Sequence, residues 1–337
     1  MGFVVDAHSD MLNDVLARRL MGQTDVLKKR WLPGMKEGGI DLRVTAIYID
    51  SEFIPELALR RALDMAAALL EELDNTPEAV LCRSYGDMVE AEEKGKIGFL
   101  MGMEGAEPLG SDLSMLRVFH QLGLRILGLT HARRNALADG APFFPVKAGR
   151  AGGLSDIGVS FLHKAQEMGI IIDVSHLNDP GFWDVMELAQ PPVIASHSNA
   201  RAVHDHPRNL TDEQIKTLAD KGGVMGVNAD RFIVGGEDLE MLFAHLDHLV
   251  KTGGEEHVGL GPDFCDYLLD HMAPSARAHI PEGGACPVKG LEGDREIPRI
   301  AEGLVRRGYK PRTVDLIMGH NFKRIFKEVL GDPARSG

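Results

Sequence analysis

Phe3-Val4-Val5-Asp6-Ala7-His8-Ser9-Asp10 is a short apolar run that ends in His-x-Asp. Side chains two apart on a strand share a face, so a strand here aims His8 and Asp10 at one point. An imidazole beside a carboxylate suits a divalent transition metal. The same residues bear on the fold. A doubly wound open sheet normally carries a Gly-rich phosphate turn after its first strand, and His8-Ser9-Asp10 stands there instead.

Outward from this run, further short β-rich segments recur at 43–49, 97–103, 125–130, 170–175, 192–196, 223–228 and 257–262. Between them lie amphipathic stretches at 55–74, 84–95, 112–122, 158–168, 179–189, 211–221 and 238–252. Thr211-Asp212-Glu213-Gln214 has the form of a capping box, an N-cap hydroxyl with Gln three residues on. Strands alternating with helices predict an α/β fold of the (β/α)8 TIM-barrel type. The expected organisation is one domain over 1–337, with long loops at about 11–42 (a helix and a charged, Gly-containing stretch), 132–156 and 265–293 and C-terminal helices at 294–308 and 311–330. Loops of that length in a compact domain bind or cover ligands.

Composition narrows the partners. The 37 basic and 50 acidic residues give a net charge of −13, which argues against non-specific binding to nucleic acid or anionic membranes. No run approaches the roughly 18 apolar residues of a membrane span. Met1-Gly2-Phe3 leads straight into the first strand, so no secretory signal is expected. Cys82, Cys265 and Cys286 are widely spaced and odd in number, which reads as free thiols in a reducing compartment. A cytoplasmic location is the expectation.

Nearly every predicted strand ends in a group able to bind metal or move protons: His8 and Asp10, Glu104, His131, His176, His197, Asn228 and Asp263. Barrel enzymes set catalytic groups at these C-terminal strand ends. By donor chemistry His8, Asp10 and Glu104 suit one ion, and His176 and His197 a second, with Glu104 placed to join both. Two Zn2+ ions against two ligand carboxylates favour a bridging hydroxide, because zinc lowers the pKa of bound water from about 15.7 to about 7. Asp263 is then free as general base and acid, and His131 as a donor to a developing oxyanion or substrate carbonyl. Either could instead be a weak extra ligand. The reaction implied is metal-assisted hydrolysis of an unactivated acyl bond.

The loop after the sixth strand carries Arg201 and Arg208, each a candidate grip for a substrate carboxylate and each able to form an ordinary surface salt bridge. His204 and His206 read as loop residues, since better-placed ligands exist.

The chain resembles the membrane (renal) dipeptidase family, the M19 metallopeptidases of the amidohydrolase superfamily, in its bacterial soluble branch. The matching segments are Asp6-Ala7-His8-Ser9-Asp10, Gly102-Met103-Glu104-Gly105, Leu129-Thr130-His131, Asp173-Val174-Ser175-His176, Ser196-His197-Ser198, Pro207-Arg208-Asn209-Leu210, Gly259-Leu260-Gly261-Pro262-Asp263-Phe264 and Gly319-His320-Asn321-Phe322. Most amidohydrolases open with His-x-His, this family with His-x-Asp. The resemblance implies a metal-dependent barrel with two zinc ions, one on His8, Asp10 and Glu104 and the other on Glu104, His176 and His197. It implies that His131 and Arg208 contact substrate and that Asp263 handles protons, and it favours Arg208 over Arg201. Asn228 is expected beside the substrate, and Glu104 counts with Asp263 and His131 as catalytic. The expected reaction is hydrolysis of dipeptides with an L residue first and an L or D residue second, and family members often form homodimers. The rivals are an N-acyl-amino-acid deacylase or other amidohydrolase, and a non-catalytic barrel that binds metal or a carboxylate. The loop Ala132 to Gly140 departs from the mammalian pattern, so side-chain preference does not carry over.

Overall fold

The computed structural model describes residues 2–143, 149–190, 192–272, 277 and 284–331. Parts of the expected loops at 132–156 and 265–293, and both ends of the expected 1–337 domain, therefore lie outside the described residues.

The strands are β1 (Val5–Ser9), β2 (Leu42–Tyr48), β3 (Ala79–Leu81), β4 (Ile97–Glu104), β5 (Leu124–Gly128), β6 (Ile171–Asp173), β7 (Ile194–Ala195), β8 (Val224–Val227) and β9 (Val258–Leu260). They form one sheet in the order β1-β2-β4-β5-β6-β7-β8-β9 with every neighbouring pair parallel. β9 packs back beside β1, so the sheet is a nearly closed eight-strand barrel of the (β/α)8 type. Strand residues are buried on both faces, as in parallel sheets covered by helices, which is why they read as apolar runs.

All eight predicted strands are present, each within a few residues of its expected bounds. β3 is additional. It is three residues long and pairs from Ala79↔Ile97 to Leu81↔Phe99, filling the edge of β4 below the stretch that pairs with β5. A run that short carries no periodicity.

The expected loop at 11–42 is largely helical. Helix Met11–Leu20 is followed by a π turn, Leu27–Trp31, that runs into helix Leu32–Gly38. Pro33 and the nearby glycines mask the pattern, yet a proline in the first turn of a helix loses no intrahelical bond. Leu27, Trp31, Leu32 and Met35 are buried by this segment.

The capping box at Thr211 and Gln214 forms as the sequence predicts, and opens helix Asp212–Asp220. The end of the barrel opposite the polar strand ends is closed by helix Asn321–Leu330. Its Phe322, Ile325 and Phe326 pack with Phe3, Val5 and Val44. A Cβ on Gly259 would come 2.4 Å from the Phe322 ring, so only glycine fits there. One end is thereby an apolar plug, and the chemistry is left to the other.

Candidate active site

The ladder of β1 is irregular between Asp6 and Ser9, and such a bulge re-aims a side chain. His8 sits within it. Its backbone N–H donates to Asp6 Oδ1 at 3.1 Å, and Asp6 Oδ2 accepts from Arg43 Nε at 2.8 Å. Asp294 pairs with the same guanidinium, forming a buried ionic floor under His8. Asp10 follows as N-cap of helix Met11–Leu20 but makes no capping bond, so its carboxylate stays free for the site.

Glu104, the last residue of β4, is the hub. Its Oε1 lies 2.7 Å from His176 Nε2, 3.3 Å from His197 Nε2 and 3.6 Å from His8 Nε2. His8 Nε2 is also 3.7 Å from Asp10 Oδ1 and 3.8 Å from Asp263 Oδ1. The structure thus brings His8, Asp10, Glu104, His176, His197 and Asp263 to one point. The sets His8/Asp10/Glu104 and Glu104/His131/His176 each present donor atoms within 4.8 Å of one another. The second set adds His131, consistent with its reading as an extra ligand. A third set contains Asp173 with His8 and His197. Asp173, however, already accepts from the Ser175 and Ser196 backbone N–H groups and the Ser196 hydroxyl. Ser196 Oγ in turn lies 2.7 Å from His197 Nδ1, which fixes that ring with Nε2 toward Glu104.

Several atoms at this point are buried without a hydrogen bond: His8 Nε2, Asp10 Oδ1, Glu104 Oε2, His176 Nδ1 and His197 Nε2. Orphaned buried polar atoms cost free energy unless something pairs them. Two site residues also hold left-handed backbone, His176 at φ 68° and Asp263 at φ 56°. Non-glycine residues in that region are uncommon and cluster at functional sites.

The electrostatics point the same way. Burial would depress His8, but the charges of Glu104, Asp263 and Asp10 push it up to about 10. Burial and the neighbouring Glu104 push Asp10 up to about 7. Asp263 is raised well above the carboxylate range by burial, with Asp10 and Glu104 adding to it. Burial holds His131, His176 and His197 neutral, the form that ligates metal. Buried carboxylates beside three neutral imidazoles, with His8 drawn toward its protonated form by the same carboxylates, form a site that attracts positive charge.

The other predicted residues divide. Asn228 is 1% exposed and lies behind Asp263: its Nδ2 donates to Asp263 Oδ2 at 2.9 Å and its Oδ1 accepts from the Asp230 N–H at 2.7 Å. Through these two bonds Asn228 braces Asp263. Arg208 is buried, donates from Nη2 to the His197 carbonyl at 3.1 Å, and leaves Nε without a partner. Arg201 instead forms a two-pronged pair with Asp179, both bonds 2.8 Å, so its salt-bridge reading holds. His206 touches the Phe143 carbonyl and the Arg208 N–H, and His204 stacks on it.

The site opens into a cavity of about 1000 Å³ whose wall includes Asp10, Glu104, His131, His176 and Asp263. Asn13, Tyr48, Asp50 and Arg133 also line it, and sequence reasoning missed all of these. Tyr48 ends β2 and Asp50 follows two residues on, after the one predicted strand from which no end residue was taken. The Tyr48 ring lies 4.6 Å from His131. Arg133 is fastened to Glu107 and to the Ile49 carbonyl.

Residues 2–274 match the family model described as membrane dipeptidase, peptidase family M19. Over 258 residues the chain is 31% identical to an uncharacterized protein in the pqqA 5' region of Klebsiella pneumoniae, covering 74% of this chain and 88% of that one. Over 271 residues it is 29% identical to dipeptidase tcpJ of Claviceps purpurea, covering 79% of this chain but only 59% of that relative's length. Among solved structures it superposes on dipeptidase AC, a metallopeptidase of family M19, with a TM-score of 0.86 and 30% identity, covering 98% and 99% of the two chains. A metallopeptidase from Rhodobacter sphaeroides, liganded with a phosphinate mimic of the dipeptide L-Ala-D-Ala, gives 0.85 and 28%, covering 97% and 99%. Among the described residues no helix is long and apolar enough to cross a membrane.

Proposed function

The chain belongs to the membrane dipeptidase family of metallopeptidases, M19, and from that premise we propose that it hydrolyses dipeptides at a centre of two divalent cations. His8, Asp10 and Glu104 would hold one ion, and Glu104, His176 and His197 the other. The observation that carries this reading is Glu104, whose Oε1 approaches three imidazoles while its Oε2 stays buried and unpaired. Mixed imidazole and carboxylate donors suit zinc. When bound, such a pair supplies Lewis acidity and a water of lowered pKa.

The protein's own groups do the rest. Asp263, held by Asn228, is placed to take a proton from the attacking water and pass it to the leaving nitrogen. His131, on the cavity wall, donates to the carbonyl oxygen as charge develops. The free Nε of Arg208 offers a charge-assisted bond to the C-terminal carboxylate. The phosphinate mimic bound by the Rhodobacter sphaeroides relative supports tolerance of a D residue in the second position. The free thiols of Cys82, Cys265 and Cys286 fit a reducing, cytoplasmic setting, and the whole chain is read as one barrel domain.

Metal analysis followed by a screen of dipeptides with L and D second residues tests the proposal. Two metals per chain and turnover of free dipeptides are expected. Faster cleavage of N-acyl amino acids than of dipeptides would make the protein a deacylase, and inertness of the metal-loaded protein toward the whole panel would make it a binding barrel.

A further inference from the structure

Resting on the dipeptidase reading, we propose that Asn13 and Asp50 form the subsite for the substrate's free α-ammonium group. On this view they decide the preference for dipeptides over N-acylated amino acids.

Asn13 lies one helical turn beyond Asp10 on helix Met11–Leu20, so the two share a face. It is 5% exposed and lines the cavity. Its Nδ2 donates to Asp50 Oδ2 at 3.2 Å, which fixes the amide's orientation, and its Oδ1 is buried with no hydrogen-bond donor. Beside it Asp50, half-buried on the same wall, receives no other side-chain hydrogen bond among the described residues. Asn13 Oδ1 and the Asp50 carboxylate thus offer adjacent acceptors with one formal negative charge, and an ammonium matches them with a positive charge and several N–H groups.

The remaining carboxylates on the wall do not compete. Asp230 accepts backbone N–H groups on both oxygens, from Phe232 at 2.8 Å and from Cys286 at 3.1 Å. Glu52 and Asp270 are exposed to solvent. Asp10, Glu104 and Asp263 belong to the reacting centre. Arg61, also on the wall, sits 4.7 Å over the Phe53 ring and makes no side-chain hydrogen bond among the described residues. Burial raises the pKa of the Asp50 carboxyl, and the Arg61 charge opposes that rise.

Covalent geometry supplies the reach. In a dipeptide the α-nitrogen is only about 2.5 Å from the scissile carbonyl carbon, fixed by two bonds and one angle. A carbonyl at the Glu104 centre therefore puts the ammonium within a residue's breadth of it; Asn13 shares a helix face with Asp10, and Asp50 is close enough for its charge to act on Asp10. Ala17, Leu20, Met21 and Phe53 continue the same wall outward and give the first side chain an apolar surface.

The test compares L-alanyl-L-alanine with propionyl-L-alanine, the same molecule without its amine, on metal-loaded wild type, Asp50→Asn and Asn13→Ala. Calorimetric binding of the phosphinic mimic of Ala-Ala and of its des-amino counterpart runs in parallel. In each variant kcat/KM for the free dipeptide should fall roughly 10- to 100-fold, the loss of one charge-assisted bond, while the propionyl substrate changes less than about threefold. The phosphinic pair should show the same selective loss in affinity. Equal losses on both members of each pair, or none, overturn the subsite. Wild type inert to both substrates sinks the dipeptidase reading, and the binding arm then still decides whether this wall selects an amine.

Discussion

Asn228 donates its side-chain amide to Asp263 across 2.9 Å while its own Oδ1 is tied to the Asp230 backbone, so the left-handed Asp263 is held from behind by a fixed strut. Removing that strut leaves the carboxylate in place chemically but not in orientation. Asn228→Ala is expected to lower kcat about 10- to 100-fold, the range of one hydrogen bond to a charged group, with KM changed less than about threefold. A rise in KM with kcat intact would instead assign Asn228 to direct substrate contact.

Arg208→Ala should reduce kcat/KM on dipeptides by about 10- to 100-fold through loss of a charge-assisted bond to the substrate carboxylate. Arg208→Lys should recover little of it, since a lysine lacks the planar fork that bonds the His197 carbonyl and a ligand at once. Steady-state kinetics on one dipeptide decides the matter, and unchanged kcat/KM in Arg208→Ala removes the assigned role.

Ser196 links the buried Asp173 to Nδ1 of His197. Outer partners of this kind typically contribute 10- to 100-fold in metal affinity. If His197 holds one of the two proposed metals, Ser196→Ala is expected to lose that metal to a competing chelator at a concentration about 10- to 100-fold below that needed for wild type. Identical titration curves would show that Ser196 serves only the loop.

Chelation should destabilise the protein, because an ion bound only to the folded state adds about 2.7 kcal/mol when present at 100 times its Kd. Reloading with zinc should restore the lost Tm with an end point at two equivalents. An end point at one equivalent is incompatible with a shared Glu104.

His245 is fully buried, accepts from the Ala200 N–H at Nδ1 and lies 2.9 Å from the Val234 carbonyl at Nε2. Burial lowers its pKa to about 4. The neutral ring is thus the folded form, and its stabilisation is complete above the unfolded value near 6.5. It is lost as pH falls through that value toward 4, by about 3 kcal/mol in all. Urea unfolding from pH 7 down to 4.5 should show a shallower pH dependence for His245→Gln than for wild type. Parallel curves would mean that the ring is not held neutral.

Strand positions were legible because apolar runs and turn residues are local signals, and every predicted barrel strand exists in the structure. The helical stretch at 27–38 was hidden by Pro33 and its glycines, and β3 by its brevity. The capping box at Thr211 shows the same principle from the other side, since its partners are three residues apart and need no tertiary help.

By itself the sequence determined which residue types stand at the strand ends, and with them the barrel and the metal-binding character of its mouth. Only the tertiary structure decided which atoms meet. Arg201 went to Asp179, Asn228 bonded Asp263, Asn13 with Asp50 joined the wall, and Glu104, already read as the shared ligand, came near three imidazoles. The physical reason is range. Strand and helix periodicity act over a few residues, whereas a shared donor atom depends on barrel register and curvature, which distant segments set together.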